Sequence, residues 1–154
     1  MLITRDNLKV IEETKISFQK TFKKKDLGDL KYFLGIEFAR SKEGINMHQR
    51  KYALELISEV GLTAAKPAET SIDTNIKLTS TQYDKEINTK SQVEEDPLVD
   101  QATYQRLIGK LLYLTVTRPD ISFGVQTLRQ FLQQPKQSYM IATLRIVRFL
   151  NQEW

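Results

Sequence analysis

The sequence predicts an α+β fold, with a small β-hairpin near the N-terminus and mainly helical structure towards the C-terminus. Two observations carry this prediction. Apolar and other residues alternate with a period of two between Tyr32 and Ala39. Apolar residues recur at helical spacing between Tyr104 and Leu150. At 154 residues, the chain is the size of one domain or of a piece of a larger one.

The first predicted element is an amphipathic helix that Asp6 or Asn7 would cap. Its apolar stripe consists of Ile11, Thr14, Phe18 and Phe22. The helix should end near Phe22, since lysines 23–25 then place positive charge at the negative end of the helix dipole. A phosphate-facing role is the alternative explanation of these lysines.

The predicted hairpin and a second helix follow directly. Residues 32–39 form one strand, residues 41–44 a turn with Gly44 at a positive φ, and residues 45–48 the returning strand. From Gln49 the period becomes helical, and Gly61 is suited to end the helix. The residues expected on its buried face are Tyr52, Leu56, Ile57 and Val60.

Residues 63–100 lose periodicity and contain Pro67, clusters of Ser and Thr, and an acidic run. This composition predicts an acidic, flexible linker that is partly disordered. The chain is thus expected to divide into residues 1–62, a linker over 63–100, and a helical segment over 101–154.

Three helices are predicted in that last segment. The first begins at Pro97 or is capped by Asp100, and the Arg118-Pro119 step ends it because the residue before proline disfavours the α conformation. The second is capped by Asp120, and Ser138 caps the third. The residues expected to face inward are Tyr104, Leu107, Ile108, Leu111 and Leu112, then Val125, Leu128, Phe131 and Leu132, then Ile141, Leu144, Val147 and Leu150.

Charge is distributed unevenly along a chain of net charge +4. Residues 80–103 contain six acidic and two basic side chains, whereas residues 104–154 contain seven basic and two acidic ones. A basic C-terminal third fits a phosphate-rich partner. Ordinary solvated helix faces are the alternative explanation.

Several classes of site are excluded by composition. The sequence has no Cys and one His, His48, which excludes disulfides, thiolate chemistry, a zinc site and a His-based metal cluster. All six glycines are isolated, so no glycine-rich phosphate loop is present. No apolar run approaches the ~18 residues of a membrane span, and the N-terminus is unlike a signal peptide. We expect an intracellular, non-secreted protein without a membrane partner, in a compartment that the sequence does not identify.

Two long blocks, Lys25–Ile57 and Tyr104–Pro135, resemble consecutive segments of the reverse transcriptases of copia-type retrotransposon polyproteins. The resemblance runs over nearly the whole chain. It implies the end of a polymerase palm with a hairpin and a helix, then a mainly helical thumb and connection. Residues 1–4 resemble the stretch immediately after that family's Tyr-Val-Asp-Asp hairpin, so we expect a C-terminal fragment that is cut at both ends.

The resemblance also implies which chemistry is missing. The family's metal-binding aspartates lie in the Tyr-Val-Asp-Asp hairpin and an upstream strand, so no catalytic or metal-ligating residue is expected here. Mg²⁺ would belong to the intact RNA-directed DNA polymerase, and this chain alone should be inactive and hold no cofactor. Its expected partners are RNA–DNA hybrid or duplex nucleic acid, the missing palm and fingers, and a downstream ribonuclease H domain.

The resemblance assigns binding roles to three groups of residues. Phe33, Leu34, Gly35 and Ile36 resemble the primer grip, with an ordinary buried strand as the alternative. Lys25 is a candidate for proximity to the nucleotide phosphates, although its neighbouring lysines compete with it and the family usually has Met-Lys-Asp-Leu-Gly here. The candidates for contacts with nucleic-acid backbone are Arg50, Lys51, Arg106, Lys110, Arg118, Arg145 and Arg148.

Arg118 has a second possible role, as a structural ion-pair partner of Asp120. Two other functions remain open for the chain as a whole. It could be a non-enzymatic helical interaction protein, or a non-functional remnant of a mobile element.

Overall fold

The computed structural model describes residues 3, 6–23, 25–88 and 96–152. It confirms the predicted α+β fold, with a three-stranded antiparallel sheet and six α-helices among these residues. The chain divides into two compact units, residues 1–47 and residues 48–154. The expected division at residues 62 and 100 stays a prediction.

Helix α1, Leu8–Phe22, begins the first unit. Asn7 is its N-cap, because the Asn7 side-chain oxygen accepts a hydrogen bond of 3.0 Å from the Lys9 N–H. The predicted stripe is present, but no side chain of α1 is fully buried. Ile11, Thr14 and Phe18 are half-buried, and the rings of Phe18 and Phe22 stack with centroids 5.7 Å apart.

The sheet consists of β1, Tyr32–Phe33; β2, Ile36–Arg40; and β3, Ile45–His48, in that order. The prediction of one continuous strand over residues 32–39 is wrong. Leu34 and Gly35 have φ angles of 49° and 78°, and Phe33 pairs with Ile36 across them. Two positive φ angles in a two-residue loop are the signature of a type I′ hairpin turn, which reverses the chain.

Helix α2, Arg50–Glu59, begins the second unit and ends as predicted at Gly61, whose φ is 72°. The Gly61 N–H donates to the Ser58 carbonyl and the Leu62 N–H donates to the Ile57 carbonyl, both at 3.0 Å. This pair of bonds is the Schellman motif, which satisfies two carbonyls that the helix end would otherwise leave unpaired.

Helix α3, Thr81–Asn88, lies in the stretch for which the sequence predicts no helix. Residues 96–99 then run beside residues 135–137. The Val99 N–H donates to the Pro135 carbonyl at 2.9 Å, and the Gln137 N–H donates to the Pro97 carbonyl at 2.8 Å.

Three further helices complete the second unit: α4, Gln101–Leu114; α5, Ser122–Arg129; and α6, Gln137–Leu150. Asp100 caps α4 by accepting a hydrogen bond of 2.7 Å from the Thr103 N–H. A single 3-10 turn, Pro119–Ile121, separates α4 from α5 at the predicted proline break.

The core lies among α2, α4, α5 and α6. Ile141 was expected to face inward, but its side chain is 55% exposed. The buried stripe of α6 starts at Tyr139 instead and continues at helical spacing, which places Ile141 on the opposite side. The fully buried core residues are Ala53, Leu56, Ile57, Tyr104, Ile108, Leu111, Leu114, Ile121, Val125, Leu128, Tyr139, Ile146, Val147 and Leu150.

Candidate nucleic-acid interface

The exposed candidates for phosphate contacts in the second unit lie at the start of α2 and on α4. Arg50, Lys51 and Arg106 all have exposed side chains. The Lys51 ammonium lies 3.9 Å from the carboxylate of Glu55, one helical turn later. An exposed ion pair of this kind is weak and is screened by salt, so the Lys51 ammonium can also bind another anion.

Lys110 and Arg118 are engaged within the unit. The Lys110 ammonium is paired with the carboxylate of Glu59, which joins α4 to the end of α2. The Arg118 guanidinium forms a fork with Asp120, at 3.0 Å from Nε to Oδ1 and 2.6 Å from Nη2 to Oδ2. The Arg118 side chain is only 11% exposed, and its guanidinium carbon lies 5.8 Å from the centroid of the Phe149 ring.

The Arg118 hydrogen bonds hold the pKa of Asp120 below its usual value, although burial partly opposes this effect. The alternative considered for Arg118, a structural ion pair, is therefore the arrangement that the structure has. Its predicted contact with nucleic-acid backbone stays a prediction.

Arg145 and Arg148 bind an extended stretch of the same unit. The Nε of Arg145 donates to the Thr70 carbonyl at 3.2 Å, and its Nη2 donates to the Thr70 hydroxyl at 3.0 Å. The Nε of Arg148 donates to the Lys66 carbonyl at 3.1 Å. Both arginines thus donate to oxygen atoms of the protein, whereas the sequence suggested that they contact phosphate.

The four residues predicted to resemble a primer grip form the β1–β2 turn and its flanks. Leu34 is 71% exposed, Phe33 is also exposed, and Gly35 and Ile36 are half-buried. The alternative of a buried strand is not what the structure has. A leucine at positive φ costs about 1 kcal/mol relative to glycine, and an exposed leucine loses the benefit of burial. This turn is therefore not optimised for stability.

Lys25 is exposed in the loop after α1. Next to it, the Asp26 carboxylate pairs with the Lys15 ammonium at 2.9 Å and accepts the Gly28 N–H at 2.9 Å. These two bonds, that from Lys15 first, lower the pKa of Asp26. These bonds connect the loop to α1 and constrain the backbone next to Lys25. Lys24 lies outside the described residues.

Comparison with known protein sequences shows what this chain is similar to. A family profile for reverse transcriptases (RNA-dependent DNA polymerases) matches residues 1–74. The chain is 33% identical, over 150 residues, to the retrovirus-related Pol polyprotein from transposon RE2 of Arabidopsis thaliana, and 34% identical to that from transposon RE1. It is 28% identical to the Pol polyprotein from transposon TNT 1-94 of Nicotiana tabacum.

The chain is thus similar to the reverse transcriptase region of retrotransposon Pol polyproteins. Each alignment covers 97% or 98% of the chain but only 9% to 11% of these three polyproteins, so the chain spans about a tenth of their length. An uncharacterized mitochondrial protein of Arabidopsis thaliana is 29% identical, with 98% of this chain and 58% of that protein aligned. No solved structure matches the chain significantly.

Among the described residues of the chain, no group of three or more His, Cys, Asp or Glu side chains is arranged to hold a metal ion. The Mg²⁺ of a polymerase needs oxygen ligands, chiefly carboxylates, gathered at one point. The described residues do not provide such a group. No helix in the described ranges has the length and apolar character needed to cross a membrane.

The chain also contains a buried charged cluster that sequence reasoning missed. The Lys136 side chain is 3% exposed, and its ammonium donates to the Asp84 carboxylate and to the Thr79 carbonyl at 2.7 Å. The Tyr139 hydroxyl donates to the same Thr79 carbonyl. The cluster ties the start of α3 to the start of α6.

The pKa values in this cluster reflect the pairing. The hydrogen bond from Lys136, with a second from Thr79, lowers the pKa of Asp84. Burial alone would lower the pKa of Lys136, but the hydrogen bonds to Asp84 and Tyr139 outweigh it and raise that pKa. No sequence signal links residues that lie 52 positions apart. The sequence analysis therefore treated Asp84 and Lys136 only as members of an acidic and a basic segment.

Proposed function

We propose that this chain binds the backbone of the primer–template duplex within the reverse transcriptase of a retrotransposon Pol polyprotein. The observation that carries the proposal is the alignment with Pol polyproteins over 97% of the chain. The exposed cations Arg50, Lys51 and Arg106 supply the chemistry, because phosphate oxygens accept hydrogen bonds and charge from such side chains. The intact protein would extend a primer along RNA, and then DNA, using nucleoside triphosphates and Mg²⁺.

The β1–β2 turn is the second contact in this proposal. Leu34 presents an exposed apolar side chain from a turn in which asparagine or glycine would be favoured. A strained, exposed position is a reason to look for function. The turn would pack against the sugar edge of the primer's end, and the Arg and Lys side chains would hold phosphates elsewhere.

Contacts of this kind set affinity and position without reading sequence. Each neutralised phosphate releases counterions, so the logarithm of the association constant falls with the logarithm of salt by about 0.9 per contact on duplex DNA. Three exposed cations therefore predict a slope near −3, which steepens if further lysines take part.

The first test is fluorescence anisotropy of a labelled RNA–DNA hybrid titrated with the chain at several salt concentrations. Replacing Arg50, Lys51 or Arg106 by Gln should make the slope shallower by about 1 each. Arg129→Gln, at another exposed cation outside the proposed surface, is the matched control and should change it less. Absence of binding at low salt would reject the proposal and favour an inert remnant or a helical interaction protein.

Catalysis is not part of the role proposed for this chain on its own. The sequence contains no Asp-Asp pair of the kind found in the family's Tyr-Val-Asp-Asp hairpin. We expect no extension of a labelled primer on an RNA template when the chain is supplied with nucleoside triphosphates and Mg²⁺. Template-dependent product would overturn this part of the proposal and leave the binding role intact.

A further inference from the structure

We infer that residues 65–73 form a strap that covers Arg145 and Arg148 and competes with nucleic-acid phosphate for them. This inference rests on the proposed binding function. It assigns an autoinhibitory contact to the second unit, in which two cations of α6 become available for phosphate only when the strap is displaced.

The strap runs along the C-terminal half of α6 and is held mainly through its backbone. Besides the two arginines, the Asn151 side chain donates to the Ala65 carbonyl at 3.5 Å, and the Gln152 side chain donates to the Ala68 carbonyl. The Ala68 N–H in turn donates to the Arg148 carbonyl at 3.4 Å. Residue 65 thus lies near the end of α6 and residue 70 about two turns earlier.

Arg145 and Arg148 donate hydrogen bonds to the strap, but the strap compensates little of their positive charge. Their acceptors are neutral carbonyl and hydroxyl oxygens. The Asp73 carboxylate lies 3.9 Å from Arg145, and no carboxylate among the described residues lies within ion-pair distance of Arg148. Phosphate would offer the same hydrogen bonds together with a compensating charge, and charge-assisted bonds are roughly twice as strong as neutral ones.

The strap has few apolar anchors that would oppose its release. Ala68 is its one fully buried side chain among residues 65–73, at 4% exposed. The half-buried Ile72 adds a contact beside Gly124 on α5. A segment held by Ala68, by the half-buried Ile72 and by hydrogen bonds at the surface belongs to the low-stability end of a structure, where local opening is expected.

The Ala68 methyl group gives a way to release the strap without changing charge. Ala68→Leu places a larger side chain where the wild type is almost fully buried, and the strap must move to accommodate it. Ala64→Leu, the same substitution at an exposed alanine just before the strap, is the matched control. Hydrogen exchange of the backbone over residues 63–76 reports directly whether the strap has opened.

The measurement is hybrid binding by anisotropy at 50 and 200 mM salt. Two newly available cations steepen the salt slope by about 1.8, so the ratio of association constants at the two salts should rise about twelvefold over the Ala64→Leu control. Adding Arg145→Gln and Arg148→Gln to the released chain should remove that gain. Where Ala68→Leu fails to fold or to open the strap, Asn151→Ala with Gln152→Ala removes two holding bonds at constant charge.

The outcomes separate this inference from the function on which it rests. A strap that opens by hydrogen exchange without any change in salt slope overturns the inference, while wild-type binding would still support the proposed function. A gain that persists after both arginines are replaced also overturns it. No binding by any variant at low salt rejects both proposals.

Discussion

Gly109 in α4 and Gly124 in α5 have different surroundings. A methyl group built on Gly109 meets nothing within 4 Å, whereas one on Gly124 would lie 3.1 Å from the Ile146 side chain and 3.7 Å from Ile72. We expect Gly109→Ala to raise the free energy of unfolding by about 0.5–1 kcal/mol, since alanine is the better helix former. Gly124→Ala should raise the free energy of unfolding by less, because the Ile146 side chain must shift to accommodate the added methyl group. Equal gains in chemical denaturation would contradict the close approach of α5 and α6.

The Asp84–Lys136 pair predicts how stability depends on pH. The pKa of Asp84 is lowered in the folded state, so the unfolded chain binds more protons and stability falls as the pH drops through and below the unfolded value near 3.8. Asp84→Asn should lower the unfolding free energy at pH 7, because Lys136 stays buried without its counterion.

Urea unfolding between pH 2.5 and 7 tests this expectation. The loss of stability between pH 5 and pH 3 should be smaller in Asp84→Asn than in the wild type, because one of the responsible carboxylates is absent. The remaining dependence belongs to carboxylates such as Asp26, Asp100 and Asp120, whose pKa values are lowered mainly by hydrogen bonds. An unchanged pH profile would show that the pair does not form in solution.

Single-residue signals are partly predictable where the interaction is local in sequence. The predicted caps Asp120 and Ser138 are wrong, because the N-caps of α5 and α6 are Ile121 and Lys136 and neither makes a side-chain capping bond. Asn7 and Asp100 cap their helices and Gly61 ends one, because each acts on backbone groups two to four residues away. The partners of Arg145 and Arg148 lie 75 and 82 residues away. No local pattern contains that information, so the sequence showed two cations but not the strap that engages them.

Five of the helices were predicted, whereas α3 was not, and the continuous strand over residues 32–39 was wrong. Amphipathic periodicity placed α1, α2, α4, α5 and α6 because each buries or half-buries one face. The alternation from Tyr32 to Phe38 is also compatible with a tight hairpin, and only the φ angles of Leu34 and Gly35 reveal the turn. Helix α3 is short and polar, and its attachment depends on distant Lys136.

The β1–β2 hairpin offers a test that separates stability from function. Leu34→Asn creates Asn-Gly, the sequence that type I′ turns favour, and should stabilise the hairpin by about 1 kcal/mol. Slower exchange of the Phe38 amide, which donates to the Lys31 carbonyl at 2.9 Å, would report the gain. If the turn contacts the primer, the same variant should bind RNA–DNA hybrid more weakly.

Leu34→Met is the control for that experiment, since it keeps an apolar side chain without favouring the turn. It should leave both hairpin protection and hybrid binding near the wild-type values. Tighter hybrid binding by Leu34→Asn would contradict a contact through the leucine. It would indicate that a better-formed hairpin is all that the interaction requires.

The two units of the molecule differ in how much they bury. No described residue in the unit of residues 1–47 is fully buried, and large apolar side chains such as Leu8, Leu27 and Leu34 are exposed. The second unit has a core contributed by four helices. Since burial of apolar surface is the main stabilising term in folding, the first unit has little of it to offset its loss of conformational entropy.

Hydrogen exchange on the full chain should therefore show two levels of protection. Amides of α1 should exchange at least about a thousandfold faster than the central amides of α4 and α6, since local opening costs little free energy where little is buried.

Asp100→Ala should remove about 1 kcal/mol of stability by uncapping α4. If α2, α4, α5 and α6 share one cooperative core, exchange in α6 should accelerate about fivefold in that variant although α6 is not touched, while α1 stays unchanged. Asp100→Asn, which retains a capping oxygen, should behave like the wild type. Acceleration confined to α4 would mean that the helices open separately, and strong protection of α1 would mean that its half-buried stripe is better packed than the exposure of its side chains indicates.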